Sequence, residues 1–407
     1  MAERWTGRAA ARVIHTLLSR LGSDRLEVAE RVPGRPTGYH SYGPDDGLTA
    51  RVVVVDHRAY SAVLTEGSIG LGRGFVEGWW TSDDPVAVVQ VLIRNMRTLD
   101  RLRNRWQSAT GWATDRLRTL RPRDSRERNR DDIGAHYDIG NDFFELFLDE
   151  TMTYSSAVFP TPGTSLADAS RHKYDRLIDL LDLQPDHHLL EIGTGWGGMA
   201  MRTAERGNRV TTTTISAEQH SEARRRIDEA GLSERVTVLD ADWRDLEGSF
   251  DRIVSIEMIE AVDWRDYDDF FATIERRLRP GGRVAIQAIV LPDDRWHRAK
   301  KTEDFIRRFV FPNGYLPSVG AIEESLARAT RLQVAEVHHY AEHYAETLRR
   351  WRERFDDRIT EVAALGLDAR FQRLWRFYLA YCEAGFREHH CSVVQILIED
   401  RRPIEAS

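Results

Sequence analysis

The sequence predicts an α/β protein, with a mostly parallel seven-stranded sheet in its last two thirds and a smaller α/β domain in front. Three observations carry this reading. From Asp131 onward, short runs rich in β-branched residues alternate with helical patterns, and that order pairs strands in parallel through crossover helices. One strand-to-helix junction holds a glycine cluster, Gly193, Gly195 and Gly197. The 407 residues exceed what one core usually needs, and 41% hydrophobic with 30% charged residues suits a globular chain with a sizeable core. Disordered, collagen-like and disulfide-framed classes are thereby excluded.

In the front third, Ala11–Leu21 reads as an amphipathic helix and Ala50–Val55 as a strand. The glycines of Gly67–Trp80 follow a helical pattern without the strand–loop–helix order of a phosphate loop, so they read as tight turns and close packing. Pro85–Leu99 reads as a helix running into Arg94–Arg130, which holds 12 Arg against four acidic residues. Residues 1–130 carry 22 Arg, no Lys and 15 acidic residues, a net +7, against −14 for the remainder. Such a segment attracts phosphate of nucleic acid or of lipid headgroups, unless it is simply a solvated helix face. Trp106 and Trp112 are its only aromatics, too few for base stacking, and no nucleic-acid partner is expected. The expected division is residues 1–93 as a lipid-facing domain, 94–130 as an Arg-rich arm, and 131–407 as the larger domain.

In the larger domain the expected strands are Leu189–Ile192, Arg209–Ile215, Val236–Leu239, Arg252–Ile256, Val284–Ile289, Leu332–His338 and Ser392–Ile398, the late ones open to antiparallel pairing. The helix Trp264–Arg279 is expected to stop at Pro280-Gly281-Gly282. Cys382 and Cys391, the only cysteines, read as reduced residues, and no metal site is expected. No apolar run has the length of a spanning helix and the Arg-studded start lacks a signal-peptide pattern, so a cytoplasmic location is expected.

The first strand of this domain ends in Glu191-Ile-Gly193-Thr-Gly195-Trp-Gly197-Gly198 and a helical pattern follows, the arrangement that lets backbone approach a nucleotide-type cofactor. A dinucleotide fold places an acid at the end of its second strand, whereas here Thr211–Ile215 and Ser216 supply none. Beyond the third strand, Asp242 offers an acceptor for an adenine amino group and Trp243 an indole to stack on the ring. The plainer alternative is a surface acid beside a core tryptophan. This pattern disfavours a dehydrogenase and points to S-adenosylmethionine.

The segments His136–Phe144 (HYDIGNDFF), Thr153–Ala157 (TYSSA), Glu191–Gly198, Thr214–Gln219 (TISAEQ), Ser255–Glu260 (SIEMIE) and Phe311–Ser318 (FPNGYLPS) occur in order. Together with His343-Tyr344, Thr347-Leu348 and Gly385-Phe386-Arg387 they resemble the cyclopropane fatty acid synthase and mycolic acid methyltransferase family. Gly70, Gly72 and Gly78-Trp79-Trp80 resemble the N-terminal domain of its longer, phospholipid-acting members. The resemblance implies a Rossmann-like methyltransferase fold and methyl transfer from S-adenosylmethionine to the cis double bond of an unsaturated acyl chain of a membrane phospholipid. It places Tyr154, Ser155, Gly193, Gly195, Gly197, Thr214, Ile215, Gln219, Asp242, Trp243 and Ile256 around the cofactor. It also implies a peripheral position at the inner membrane face and leaves room for a homodimer.

The chemistry sets its own demands. An alkene is a poor nucleophile, so it must be held in line with the methyl donor, with water excluded from the secondary carbocation. Aromatic faces stabilise such a cation; Tyr137, Phe143, Phe144, Phe147, Tyr154, Phe309 and Tyr315 are candidates, core packing being the plainer role for each. A base must then remove a proton. Loss of a proton from the new methyl with ring closure gives a cyclopropane. If a hydride first moves from the methylated carbon to its cationic neighbour, the charge sits on the methylated carbon, and loss of a methyl proton then gives an exocyclic methylene that a separate reductase can convert to a methyl branch.

In the cyclopropane-forming relatives, the resemblance implies, bicarbonate takes that proton, held by a Cys, a Glu, a His, an Ile backbone group and a Tyr. Glu260, Ile289 and Tyr344 match three of these, whereas Ser156 stands at the Cys position and Gln287 at the His position. Neither can titrate as His does, which puts bicarbonate in doubt. Glu257 stands where the family has Gly, and Ala261 where it has His. A second carboxylate beside Glu260 can raise the pKa of one of the pair and serve as a base itself, or be merely structural. The altered site is expected to divert the cation toward a methylene product such as 10-methylene stearate from oleate, with a cyclopropane as the alternative. A catalytically silent lipid-binding partner protein is the rival of another class; the glycine loop, Glu260 and Tyr344 speak against it.

Overall fold

A computed structural model describes residues 7–99, 101 and 139–401. Tyr137 and most of the Arg94–Arg130 arm lie outside the described residues. The chain forms two compact units: Met1–Leu120 with Thr302–Val310 and Trp351–His390, and Arg121–Lys301 with Phe311–Arg350 and Cys391–Ser407. Each unit therefore draws on several stretches of chain.

The first unit contains a four-stranded sheet in the order β2-β1-β3-β4, with β1 Arg25–Glu30, β2 Gly38–Tyr42, β3 Thr49–Val54 and β4 Trp80–Thr81. β1 and β3 are parallel and the other pairs antiparallel. The glycine-rich stretch forms the helix Ser68–Val76, and its glycines are there for close packing. A Cβ on Gly70 would meet the Ala62 carbonyl oxygen at 2.0 Å, and one on Gly72 would meet the Phe305 ring at 2.0 Å. Within this unit Arg94 pairs with Asp24 and Glu388, both at 2.9 Å, so it is already engaged.

The second unit is built on a seven-stranded sheet in the order β10-β11-β9-β8-β5-β6-β7, with β5 His188–Ile192, β6 Arg209–Thr214, β7 Val236–Asp240, β8 Phe250–Ile256, β9 Leu278–Val290, β10 Leu332–His339 and β11 Ser392–Asp400. Only β11 opposes its neighbours; it pairs antiparallel with both β9 and β10. Alternation along the strands sends Leu190, Ile192, Ile253 and Ile286 to one face, under helices Tyr267–Arg277 and Val319–Ala329. Leu189, Val254 and Ala285 go to the other face, under helices Leu166–Leu180, Gly198–Glu205 and Ala217–Glu229. The expected strands thus all occur, with ends shifted by a few residues. The largest difference is at β9: the helix ends at Arg277, and Leu278 is already extended beside Phe250, with a register shift absorbing Pro280-Gly281-Gly282. The helix thus ends three residues before the expected Pro280, where Leu278 pairs with Phe250. No described helix is long and apolar enough to cross a membrane.

Candidate active site

Ligands of a parallel sheet gather at the carboxyl ends of its strands, and the residues singled out above converge there. After β5, Gly193 (φ +103°), Gly195 (φ +51°) and Gly197 (φ +87°) all take left-handed backbone. A Cβ on Gly193 would also press on the Met258 side chain at 3.2 Å, while Gly195 faces open space within 4 Å. At the end of β6, Thr214 donates from its hydroxyl to Gln219 Oε1 at 3.0 Å and accepts from the Ser216 backbone N–H at 3.1 Å. That bond turns the Gln219 amide nitrogen the other way. Ser216 caps the helix Ala217–Glu229. Ile215 and Ile256, at the ends of β6 and β8, are half-buried. Open space before a glycine, hydroxyl and amide groups and the half-buried isoleucines suit an adenosyl ligand.

Past β7, Asp242 caps the turn Trp243–Asp245 and pairs with Arg244 at 3.1 Å. The Arg244 guanidinium lies 4.1 Å from the centre of the Trp243 ring, whose edge meets Phe270. Asp242 is therefore both a cap and an ion-pair partner, with acceptor capacity remaining on its carboxylate.

The second cluster lies at the ends of β8 and β9. Ile256 and Gln287 are register partners, and the next residue, Glu257, takes φ +48° and donates its N–H to the Gln287 carbonyl at 2.7 Å. A left-handed non-glycine residue carries strain of about 1 kcal/mol. Three donors hold it there: the Ser156 backbone N–H and the Gln287 amide reach Oε1, each at 2.8 Å, and the Tyr344 hydroxyl reaches Oε2 at 2.8 Å. The Ser156 hydroxyl turns instead to the Ala157 carbonyl, at 3.0 Å. Glu260 accepts from the Ile289 N–H at 2.6 Å through Oε1, while its Oε2 is buried and has no hydrogen-bond partner among the described residues. Both glutamates are half-buried as residues. Desolvation raises the Glu257 carboxyl, opposed first by Lys173 and then by its three donors. Desolvation and then the Glu257 charge push Glu260 up to about 8. Glu257 thus ionises first, and one proton stays on the pair near neutral pH.

Among the aromatic candidates, Phe143, Phe144 and Phe147 are wholly buried and pack on one another, with Tyr154 against Phe144 at 5.3 Å. Their role in core packing is plain. Tyr315 is buried and donates its N–H to the Glu260 carbonyl, which ties it to the carboxylate site. Phe309 belongs to the first unit.

Two residues of the site escaped the sequence reading. Gln395 on β11, the register partner of Gln287, donates to Gln287 Oε1 at 3.0 Å and so points the Gln287 amide nitrogen at Glu257. Lys173, fully buried in helix Leu166–Leu180, donates to the Ser155 hydroxyl at 2.6 Å. A signal for it was available: the chain has only three lysines among 58 basic residues, and this one sits between Ala169 and Leu177 on an apolar helix stripe.

Comparison with known proteins bears on this geometry. The family described as mycolic acid cyclopropane synthetase matches residues 124–396. The tuberculostearic acid methyltransferase UfaA1 of Mycobacterium tuberculosis is 44% identical over 336 residues, 81% of this chain and 78% of that protein. The cyclopropane-fatty-acyl-phospholipid synthase of Escherichia coli K12 is 34% identical over 83% of this chain and 85% of its own. Among solved structures, the mycolic acid cyclopropane synthase CmaA1 complexed with SAH and CTAB superposes with a TM-score of 0.62 at 30% identity, covering 67% of this chain and 98% of that one.

Proposed function

The chain belongs to the mycolic acid cyclopropane synthetase family, and from that membership we propose that it is an S-adenosylmethionine-dependent methyltransferase that converts the cis double bond of an unsaturated acyl chain into a methylene branch. Gly193, Gly195, Gly197, Thr214, Gln219, Asp242 and Trp243, with Tyr154, Ser155, Ile215 and Ile256, would hold the cofactor. Bound there, S-adenosylmethionine supplies an electrophilic methyl group.

The observation that carries the product assignment is the set of donors on Glu257. Its carboxylate takes the Ser156, Gln287 and Tyr344 groups, which correspond to three of the five positions that hold bicarbonate in the cyclopropane-forming relatives. We read Glu257 as a proton acceptor built into the chain, so that bicarbonate is not required. Glu260 beside it retains the Ile289 N–H and keeps the shared proton. Burial raises the Glu257 carboxyl, but its lone pairs are engaged by three donors that must give way before it takes a proton, so it is a slow base. Slow proton removal gives the hydride shift time to bring the charge to the methylated carbon. Loss of a methyl proton to Glu257 then leaves the exocyclic methylene.

The 44% identical relative is named as a methyltransferase of tuberculostearic acid rather than as a cyclopropane synthase, which supports this product. The E. coli relative's name supports an acyl chain carried on phospholipid, and keeps the cyclopropane as the competing product. A substrate at the membrane surface suits a chain with no described spanning helix, and the methylene product needs a separate reductase to become a methyl branch. The test is incubation of the protein with S-adenosylmethionine and oleoyl-phospholipid vesicles. The two products are isomers of equal mass, so they are separated by proton NMR for the terminal methylene and by catalytic hydrogenation. A cyclopropane as the main product would overturn the product assignment, and no transfer at all would overturn the activity.

A further inference from the structure

Lys173 is fully buried in a chain that otherwise uses arginine for almost all its positive charge; burial lowers its ammonium to about 8, so it is charged near neutral pH and loses that charge in the alkaline range. Arginine is a broad planar fork, whereas lysine is a compact point charge with three donors. Here one donor goes to Ser155 Oγ at 2.6 Å and the ammonium lies 4.6 Å from the Tyr174 ring centre. Three carboxyls favour its charge electrostatically: Glu257 most strongly, then Asp149, then Glu191. Asp149 is satisfied by the Thr151 N–H, the Thr151 hydroxyl and the Ser170 hydroxyl. Glu191 accepts from Thr212 and is pushed up to about 8 by burial, so it is largely protonated near neutral pH. Glu257 is left as the carboxylate with which the ammonium has most to gain.

We propose that Lys173 is a positioning residue for the reaction: its ammonium turns the Ser155 hydroxyl proton toward the cofactor and keeps Glu257, rather than Glu260, as the anion of the glutamate pair. The first half follows from donor logic. Lys173 occupies a lone pair of Ser155 Oγ, so the hydroxyl hydrogen must point elsewhere, and Ser155 adjoins Tyr154 in the segment assigned to the cofactor. The second half follows from placement. Glu257 has Lys173, Tyr344, Gln287 and the Ser156 N–H around it, whereas Glu260 has the Ile289 N–H and the Glu257 charge.

This proposal rests on the function given above, and the experiment separates the two. Lys173→Met keeps length and removes charge. It is expected to weaken SAH binding about tenfold by calorimetry, and to move the acid limb of the kcat profile about one unit to higher pH, because Glu257 loses the cation that favours its charge. Ser155→Ala is expected to weaken SAH binding to the same extent with the limb unmoved, and adding Lys173→Met to it should change SAH affinity little further. Wild-type activity together with a Lys173→Met variant whose limb and SAH affinity both match wild type overturns this proposal alone. A wild type that transfers no methyl overturns the function. If Lys173→Met does not fold, Lys173→Met with Glu257→Gln removes both charges: recovery of a cooperative melt supports the pairing, and no recovery overturns it.

Discussion

The two ends of the sheet that make up the candidate site solve different problems. At β5 and β6 the chain makes room: glycines adopt left-handed backbone, and Thr214, Ser216 and Gln219 satisfy one another without charge. At β8 and β9 the chain gathers ionisable groups: two glutamates and a buried lysine converge, and a glutamate rather than a glycine takes the left-handed position. The cofactor end depends on shape and the carboxylate end on charge. Substitutions should therefore separate binding from turnover according to which end they touch.

The largest effect is expected at Glu257. Glu257→Gln keeps size and two of the hydrogen bonds but removes the proton acceptor, and kcat should fall by about 10²–10⁴ while SAH affinity stays within a few-fold by calorimetry. Glu260→Gln should also depress turnover with binding retained, because it breaks the shared proton. The sign of the pH dependence follows from the same pair. The Glu257 carboxyl is raised above its usual range, so activity that needs its anion is present above that pKa and lost as pH falls through it. With Glu260 pushed up to about 8 and Lys173 lowered to about 8, a second carboxylate charge forms and the ammonium charge is lost at alkaline pH. A bell-shaped kcat profile is expected, and an acid limb at an ordinary carboxylate pKa near 4.5 would count against the pairing.

A change of product comes next. Glu257→Gly with Ser156→Cys and Gln287→His vacates the carboxylate position and restores the residues that the cyclopropane-forming relatives carry. Glycine also accepts the φ of +48° there without strain. The expected outcome is a product mixture shifted at least about tenfold toward cyclopropane, with turnover now rising on addition of bicarbonate. An unchanged ratio and no response to bicarbonate would mean that product choice is made outside this cluster.

At the cofactor end, Gly193→Ala should behave in the opposite way to Glu257→Gln. The alanine must keep φ near +103° and make room beside Met258, a cost of about 1–2 kcal/mol that falls on the loop. SAH affinity should drop about tenfold, and saturating cofactor should recover most of kcat.

How much of this was legible in the sequence differs between the ends in the same way. Strand runs such as Val284–Ile289 and the glycine loop declare themselves because their physical reasons are local: β-branching, alternation and the absence of a Cβ. The start of β9 at Leu278 was hidden, since it depends on Phe250 offering a pairing edge. The same holds for Lys173 and Gln395. Lys173 meets Ser155 from 18 residues away and Gln395 meets Gln287 from 108, and neither partner is marked by spacing. Glu257 and Glu260 were visible as a pair through the family resemblance. Which of them the donors choose was not, because that depends on the turn Glu257 makes as β8 ends.

The smallest expected effect tests the limit of the comparison. Asp242 stands at the cofactor end but carries charge, and the structure gives it two local duties, the cap on Arg244 and the ion pair with the same residue. Asp242→Asn keeps the side-chain oxygen that caps the turn and weakens a largely buried ion pair whose Arg244 keeps Asp266 as a second partner, so stability should change by about 1–2 kcal/mol. If the carboxylate also accepts from an adenine amino group, the amide oxygen can still do so with less strength, and SAH affinity should fall only about two- to fivefold. A loss as large as that of Gly193→Ala, with the melting temperature unchanged, would mean that charge matters at the cofactor end as well. The division of labour between shape and charge would then fail at this residue.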